Sequence, residues 1–210
     1  MKRISSILFC LLIANILACS GFNIKKTISD SSALKKLRKS GIVVRVWQNG
    51  AISSAEIQQN LAYWIEGHKK INDFTFIQDG SPELLKYSSE NDRFFQRDED
   101  KSFLSYKSTG VFQIYKNRHR EELNKFINSN GLDSIIFYEV DGFSSSELQF
   151  ININSSIIIA DTKLNIIFMD HHTGDEDVDE WDRDSLKKIL LDKISLRFIY
   201  SMESLDYIDK

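Results

Sequence analysis

The sequence predicts an α/β protein, a single compact domain whose helices pack on a mixed sheet of about five strands in the order β-α-β-α-β-β-β-α. Three observations predict it. Short β-branched runs alternate with helical apolar stripes in the first half, three strand-like runs follow one another between about 134 and 170, and a long amphipathic stretch closes the chain. At 210 residues the chain is long enough for one well-buried core and short for two. A composition 42% hydrophobic and 11% aromatic supplies the apolar groups a packed core needs, which excludes a disordered body.

The first predicted strand is Ile42-Val43-Val44-Arg45-Val46-Trp47, a β-branched run suited to a largely buried position. Ser53-Ser54-Ala55-Glu56 fits a capping box, so a helix starts there. Ile57, Leu61, Trp64, Ile65 and, at its edge, His68 then recur at three and four. Asp73-Phe74-Thr75-Phe76-Ile77 reads as the second strand, closed by Asp79-Gly80, and Pro82 sits at a first helical position after Ser81. Residues 88–109 mix Arg93, Asp98, Glu99, Asp100 and Lys101 with Phe94, Phe95 and Phe103 without a clean period, and read as an irregular excursion.

A helix is expected over about 111–130, carried by Phe112, Tyr115, His119, Leu123, Phe126 and Ile127 and stopped at Asn130-Gly131. Residues 134–140 form a strand that Asp141-Gly142 should turn. Strands over about 148–160 and 165–170 flank Asp161-Thr162-Lys163-Leu164 as a hairpin. Leu186, Ile189, Leu190, Ile194, Phe198, Met202 and Leu205 then define the last helix, capped by Asp182 or Asp184. Trp47, Trp64 and Trp181 are expected to be core or hairpin-packing groups.

The amino terminus carries an address. Met1-Lys2-Arg3 is a short positive region and residues 7–14 are a continuous apolar run of signal-peptide length, interrupted by Asn15 before it could span a bilayer. Ile16-Leu17-Ala18-Cys19 resembles the bacterial lipobox: an aliphatic, a tolerant position, a small residue and a cysteine. That resemblance implies a signal peptide over 1–18, a thioether-linked diacylglycerol on Cys19, cleavage before it, and acylation of the new amino group by a fatty acid such as palmitate. Each buried CH₂ adds ~0.8 kcal/mol, so several chains anchor far more firmly than one. Ser20 stands where an Asp would resemble an inner-membrane retention signal, which points to the outer membrane, with the body in the periplasm or at the surface. Residues 19–40, rich in Lys and Ser, read as a lipidated cysteine and flexible tether, and 41–210 as the folded domain.

The element order resembles the small α/β domain of several bacterial envelope lipoproteins: activators of peptidoglycan synthases, the curli secretion lipoprotein, and the amino-terminal domain of the Tol system's propeller protein. The residues concerned are Gly131-Leu132-Asp133-Ser134-Ile135-Ile136 and the hairpin Ile157-Ile158-Ile159-Ala160-Asp161-Thr162-Lys163-Leu164-Asn165. Leu164-Asn165 replaces that family's Thr-Gly, and Asn165 is expected to take the positive φ that Gly would supply. The Lys-, Ile-, Asn- and Ser-rich wording also resembles uncharacterised lipoproteins of spirochaetes, many of them surface proteins.

Chemistry is sparse. Cys10 and Cys19 are the only cysteines, so the body holds no thiol for a disulfide, metal site or nucleophile. Net charge is −3, and loss of Lys2 and Arg3 with the signal peptide takes it to −5, which excludes nucleic acid and anionic lipid as obvious partners. No metal site is assigned. The residues available to a divalent cation are Asp170, His171, Asp175, Asp177 and Asp179, but an EF-hand from Asp175 would need Gly at Glu180 and Glu at Leu186. Adjacent His171 and His172 should point to opposite sheet faces, leaving 170–182 a solvated acidic loop. His68 and His119 read as edge histidines, Ser144-Ser145-Ser146 lacks a nucleophile-elbow context, and there is no glycine-rich phosphate loop.

The sequence therefore predicts no catalytic residues and no cofactor. The expected function is that of a membrane-anchored lipoprotein whose non-catalytic domain binds another envelope protein. Two alternatives stand beside it. One is a surface adhesin or antigen meeting host macromolecules, separable by surface proteolysis of living cells, and the other is a metal-dependent hydrolase using the 170–182 cluster.

Overall fold

The computed structural model describes residues 23–28, 31–47, 52–69, 72–77, 82–85, 104–145 and 147–209. Its strands are β1 (Asn23–Ile28), β2 (Lys39–Val46), β3 (Asp73–Phe76), β4 (Ser134–Ser145), β5 (Phe150–Asp161) and β6 (Ile166–Asp177). Its helices are α1 (Ser31–Leu34), α2 (Ser54–Glu66), α3 (Pro82–Leu85), α4 (Leu104–Arg118), α5 (Arg120–Asn130) and α6 (Arg183–Glu203). The strands make one mixed sheet in the order β1-β6-β5-β4-β2-β3, in which β4-β2 and β2-β3 pair in parallel and the rest antiparallel. The α/β class and single domain follow the sequence expectation.

Helices cover both faces. On one, α2 and α6 bury Ile57, Leu61, Leu190, Ile194 and Phe198 against Val44, Ile136, Tyr138 and Ile157. On the other, Phe112, Tyr115, Leu123 and Ile127 of α4 and α5 cover Val43, Ile135, Phe137 and Ile158. Each such side chain contributes roughly 1.5–3 kcal/mol through removal from water. Local sequence chemistry sets the helix ends as expected. Ser53 and Glu56 complete a capping box, Asp182 accepts from the Ser185 amide, and Gly131 ends α5 at φ 58°, a left-handed conformation that a Cβ would strain.

Five expectations are corrected. The tether reading of 19–40 fails from Asn23 onward: β1 pairs with β6 and α1 follows, while Leu34 and Leu37 are buried in the first core. An edge strand needs a neighbour's backbone on one side only, so polar composition does not exclude it. Asp141-Gly142 does not turn the chain, since both residues continue β4 opposite Asn154 and Ile153. Gly142 serves packing: a Cβ there would meet methyl groups of Ile52, Leu190 and Ile194 at 3.3–3.4 Å.

The helix over 111–130 is two helices meeting at His119, whose ψ of 22° breaks the helical geometry while its amide and carbonyl still bond Tyr115 and Leu123. Of the 88–109 excursion, 104–109 already belong to α4 and 88–103 lie outside the described residues. In the 161–165 hairpin Leu164, not Asn165, takes the positive φ, at 63°. Its side chain is thereby buried in the second core, while the Asp161 carboxylate accepts the amides of Lys163 and Asn165.

Candidate functional site

The acidic stretch after Asp170 is strand rather than loop, because β6 continues opposite β5 as far as the pair Asp177–Phe150. Its even-numbered residues face α6 and its odd-numbered ones the other side, as the two-residue period of a strand demands. The even side forms a groove of about 210 Å³ against α6. Ile151, Ile153 and Leu196 give it apolar walls, while His172, Lys193 and Arg197 give it polar ones. Gly174 leaves the space open by contributing no side chain.

Most charged groups of the groove are matched from within. The Arg197 guanidinium donates to Asp170 Oδ2 at 2.6 Å, Ser201 Oγ donates to the same oxygen, and Lys193 Nζ donates to Glu176 at 2.8 Å. Two buried polar atoms here, Asp170 Oδ1 and Arg197 Nε, have no hydrogen-bond partner among the described residues. Burial, and then the Arg197 charge, push the His172 pKa down to about 4 against the pull of Asp170, so the imidazole is neutral at neutral pH. Chemically, this is an amphipathic groove with balanced charge, suited to an apolar group that also offers hydrogen-bonding atoms.

A second polar row crosses the opposite face. Sheet register aligns Arg45, Glu139, Ser156 and His171 on adjacent strands, all buried. Arg45 Nη1 donates to Glu139 at 3.3 Å, and its guanidinium lies 4.5 Å from the Tyr115 ring centroid. His171 Nε2 and Thr173 Oγ1 are 3.2 Å apart.

The five residues considered for a cation are not brought together. Asp170 faces α6 and pairs with Arg197, His171 faces the other way, Asp175 bonds the Asn152 amide, and Asp177 and Asp179 are exposed. Among the described residues no three His, Cys, Asp or Glu side chains converge on one point. His68 bonds the Trp64 carbonyl at 2.7 Å and His119 packs on Tyr115. Trp181 corrects the expectation of a packed group, being 69% exposed. Cys19 and Ser146 lie outside the described residues.

Sequence reasoning missed Arg45, Glu139, Lys193 and Arg197. The first two carried a signal: single charges inside otherwise apolar strand runs are buried unless the run is not a strand.

The fold and groove define an α/β domain with one sheet between two helical layers. No protein family matches the chain, and no curated protein does. Solved structures similar to it include the PelC dodecamer from Paraburkholderia phytofirmans at 7% identity and TM-score 0.46, covering 82% of this chain and 94% of that one. A variant of the same dodecamer gives 8% and 0.48, covering 89% and 99%. Lipoprotein GNA1162 from Neisseria meningitidis gives 8% and 0.37, covering 78% and 99%. At these identities and scores the likeness says nothing about what this chain binds.

Proposed function

We propose that this chain is a lipoprotein of a bacterial envelope, held on the membrane through Cys19, whose α/β domain works by binding an envelope protein rather than by catalysis. The observation that carries the reading is the Ile16-Leu17-Ala18-Cys19 sequence behind a positive, then apolar, amino terminus. Two further features support it. The folded body has no cysteine, so the one thiol left after processing is the one lipidation would use. At the groove, Glu176 is paired with Lys193 and Arg197 with the buried Asp170, so its charged walls are neutralised beside the apolar side chains of Ile151, Ile153 and Leu196, which suits an apolar group of a partner.

Among the described residues no helix is long and apolar enough to cross a membrane. The outer membrane is the destination that Ser20 suggests. Metabolic labelling with a clickable palmitate analogue, followed by membrane fractionation, tests the anchor. The wild type is expected to carry label in the outer-membrane fraction, and Cys19→Ser to lose both label and membrane association. Full labelling of Cys19→Ser would refute the reading. A photo-crosslinking residue at exposed Tyr200, on the groove rim, tests the partner: a discrete protein adduct in intact cells is expected, and its absence counts against a protein ligand.

A further inference from the structure

Strand register fixes which end of the sheet an anchor on Cys19 can reach. β1 runs antiparallel to β6, with Asn23 opposite Thr173 and Ile28 opposite Phe168. It therefore enters the sheet from the end where β6 finishes at Asp177 and β4 and β5 meet at Ser145 and Phe150. Cys19 lies four residues before Asn23, a contour of at most about 14 Å. The opposite end, at Asp161, is seven residues along β5 from Asn154, the partner of Thr173, or roughly 23 Å at strand rise. Only the Asp177 end is within reach.

That end displays two large apolar side chains to solvent. Leu148, in the turn joining β4 to β5, is 72% exposed, and Trp181, between β6 and α6, is 69% exposed. The segments that carry them are tied together by the Val178 amide donating to the Gln149 carbonyl at 2.7 Å. Indole favours the boundary between water and hydrocarbon, where its ring is buried and its N–H stays hydrated. Around them stand the exposed carboxylates of Glu147, Asp175, Asp177, Asp179 and Asp182. These repel anionic headgroups, whereas the ammonium of a zwitterionic ethanolamine headgroup can donate to them.

We propose that the Asp177 end of the sheet rests on a zwitterionic phospholipid surface, with Leu148 and Trp181 entering the headgroup layer beside the lipid on Cys19. This rests on the lipoprotein reading above. The test uses the full protein, produced in bacteria, purified from membranes and reconstituted into phosphatidylethanolamine–phosphatidylcholine vesicles whose acyl chains are brominated near the headgroup. Tryptophan fluorescence is expected to be quenched, with Trp181→Phe losing most of that quenching and Leu148→Glu weakening it. Both positions are exposed, so neither variant threatens the fold. Exchanging part of the lipid for phosphatidylglycerol at low salt is expected to reduce quenching.

An acylated protein that shows no quenching, or whose quenching is unchanged in Trp181→Phe, overturns the orientation and leaves the lipoprotein reading intact. Greater quenching with phosphatidylglycerol overturns the choice of lipid. Absence of acyl mass on Cys19 removes both the orientation and the reading beneath it.

Discussion

Arg45 and Glu139 sit side by side on parallel strands with essentially no exposure, and the Arg45 guanidinium also lies by the face of Tyr115. Removing one partner of such a pair strands the other charge in the interior, which costs about 3–5 kcal/mol, while replacing both by apolar groups can be nearly neutral. Glu139→Ala is therefore expected to lower unfolding stability by that amount, and Arg45→Met with Glu139→Leu to recover most of it, as read by urea titration. A loss under 1 kcal/mol in the single variant would contradict the burial of the pair.

His172 makes a second prediction at this scale. Its folded pKa is about 4 against 6.5 for an unhindered imidazole, through burial and the neighbouring Arg197. The unfolded chain thus takes up a proton below about pH 6.5 that the folded protein refuses until about pH 4. The His172 contribution is full above that window, falls as pH drops through it, and levels off beneath it. Urea unfolding across this range should show a shallower fall in His172→Gln than in wild type, and equal slopes would rule the assignment out.

At the scale of elements, the helix ends were the most legible features, because Ser53, Glu56, Asp182 and Gly131 each act on backbone groups one turn away. Features decided by distant neighbours were not legible. Asp141-Gly142 spells a turn locally, yet the pairing of β4 with β5 overrides it. Asp175, Glu176 and Asp177 spell a solvated loop, yet β5 offers a ladder of backbone partners that their side chains need not oppose. The groove was hidden for the same reason: its walls come from β5, β6 and α6, and no local pattern reports that they meet.

β1 is the element with the clearest consequence, since it closes the outer edge of β6 from Thr173 to Phe168. Deleting residues 23–28 should leave that edge open to another chain, giving concentration-dependent self-association by sedimentation velocity. A strictly monomeric deletion variant would contradict the pairing. In hydrogen exchange, amides of β5, flanked by β4 and β6, should be the slowest of the sheet, and those of the short edge strand β3 among the fastest.

For the whole molecule, α/β class and the succession of strands before a closing helix were readable from local pattern alone, because the 3.6-residue stripes of α2 and α6 contrast with the continuous β-branched runs of β2 and β5, which are buried on both faces. The place where the domain begins was not. A basic, serine-rich stretch reads as a spacer, but β1 begins at Asn23, four residues after Cys19. The proposed anchor and the folded body are then directly coupled. A lipid on Cys19 would set the distance of the groove from the membrane and hold one end of the sheet against it, so lipidation is the claim on which the rest depends.

Intact-mass and fragment analysis of the amino-terminal peptide of protein extracted from native membranes tests it most directly. This peptide is expected to begin at Cys19, with a thioether-linked diacylglycerol on its sulfur and a fatty acyl group on its amine. A peptide that begins elsewhere, or a Cys19 with a free thiol, would contradict it.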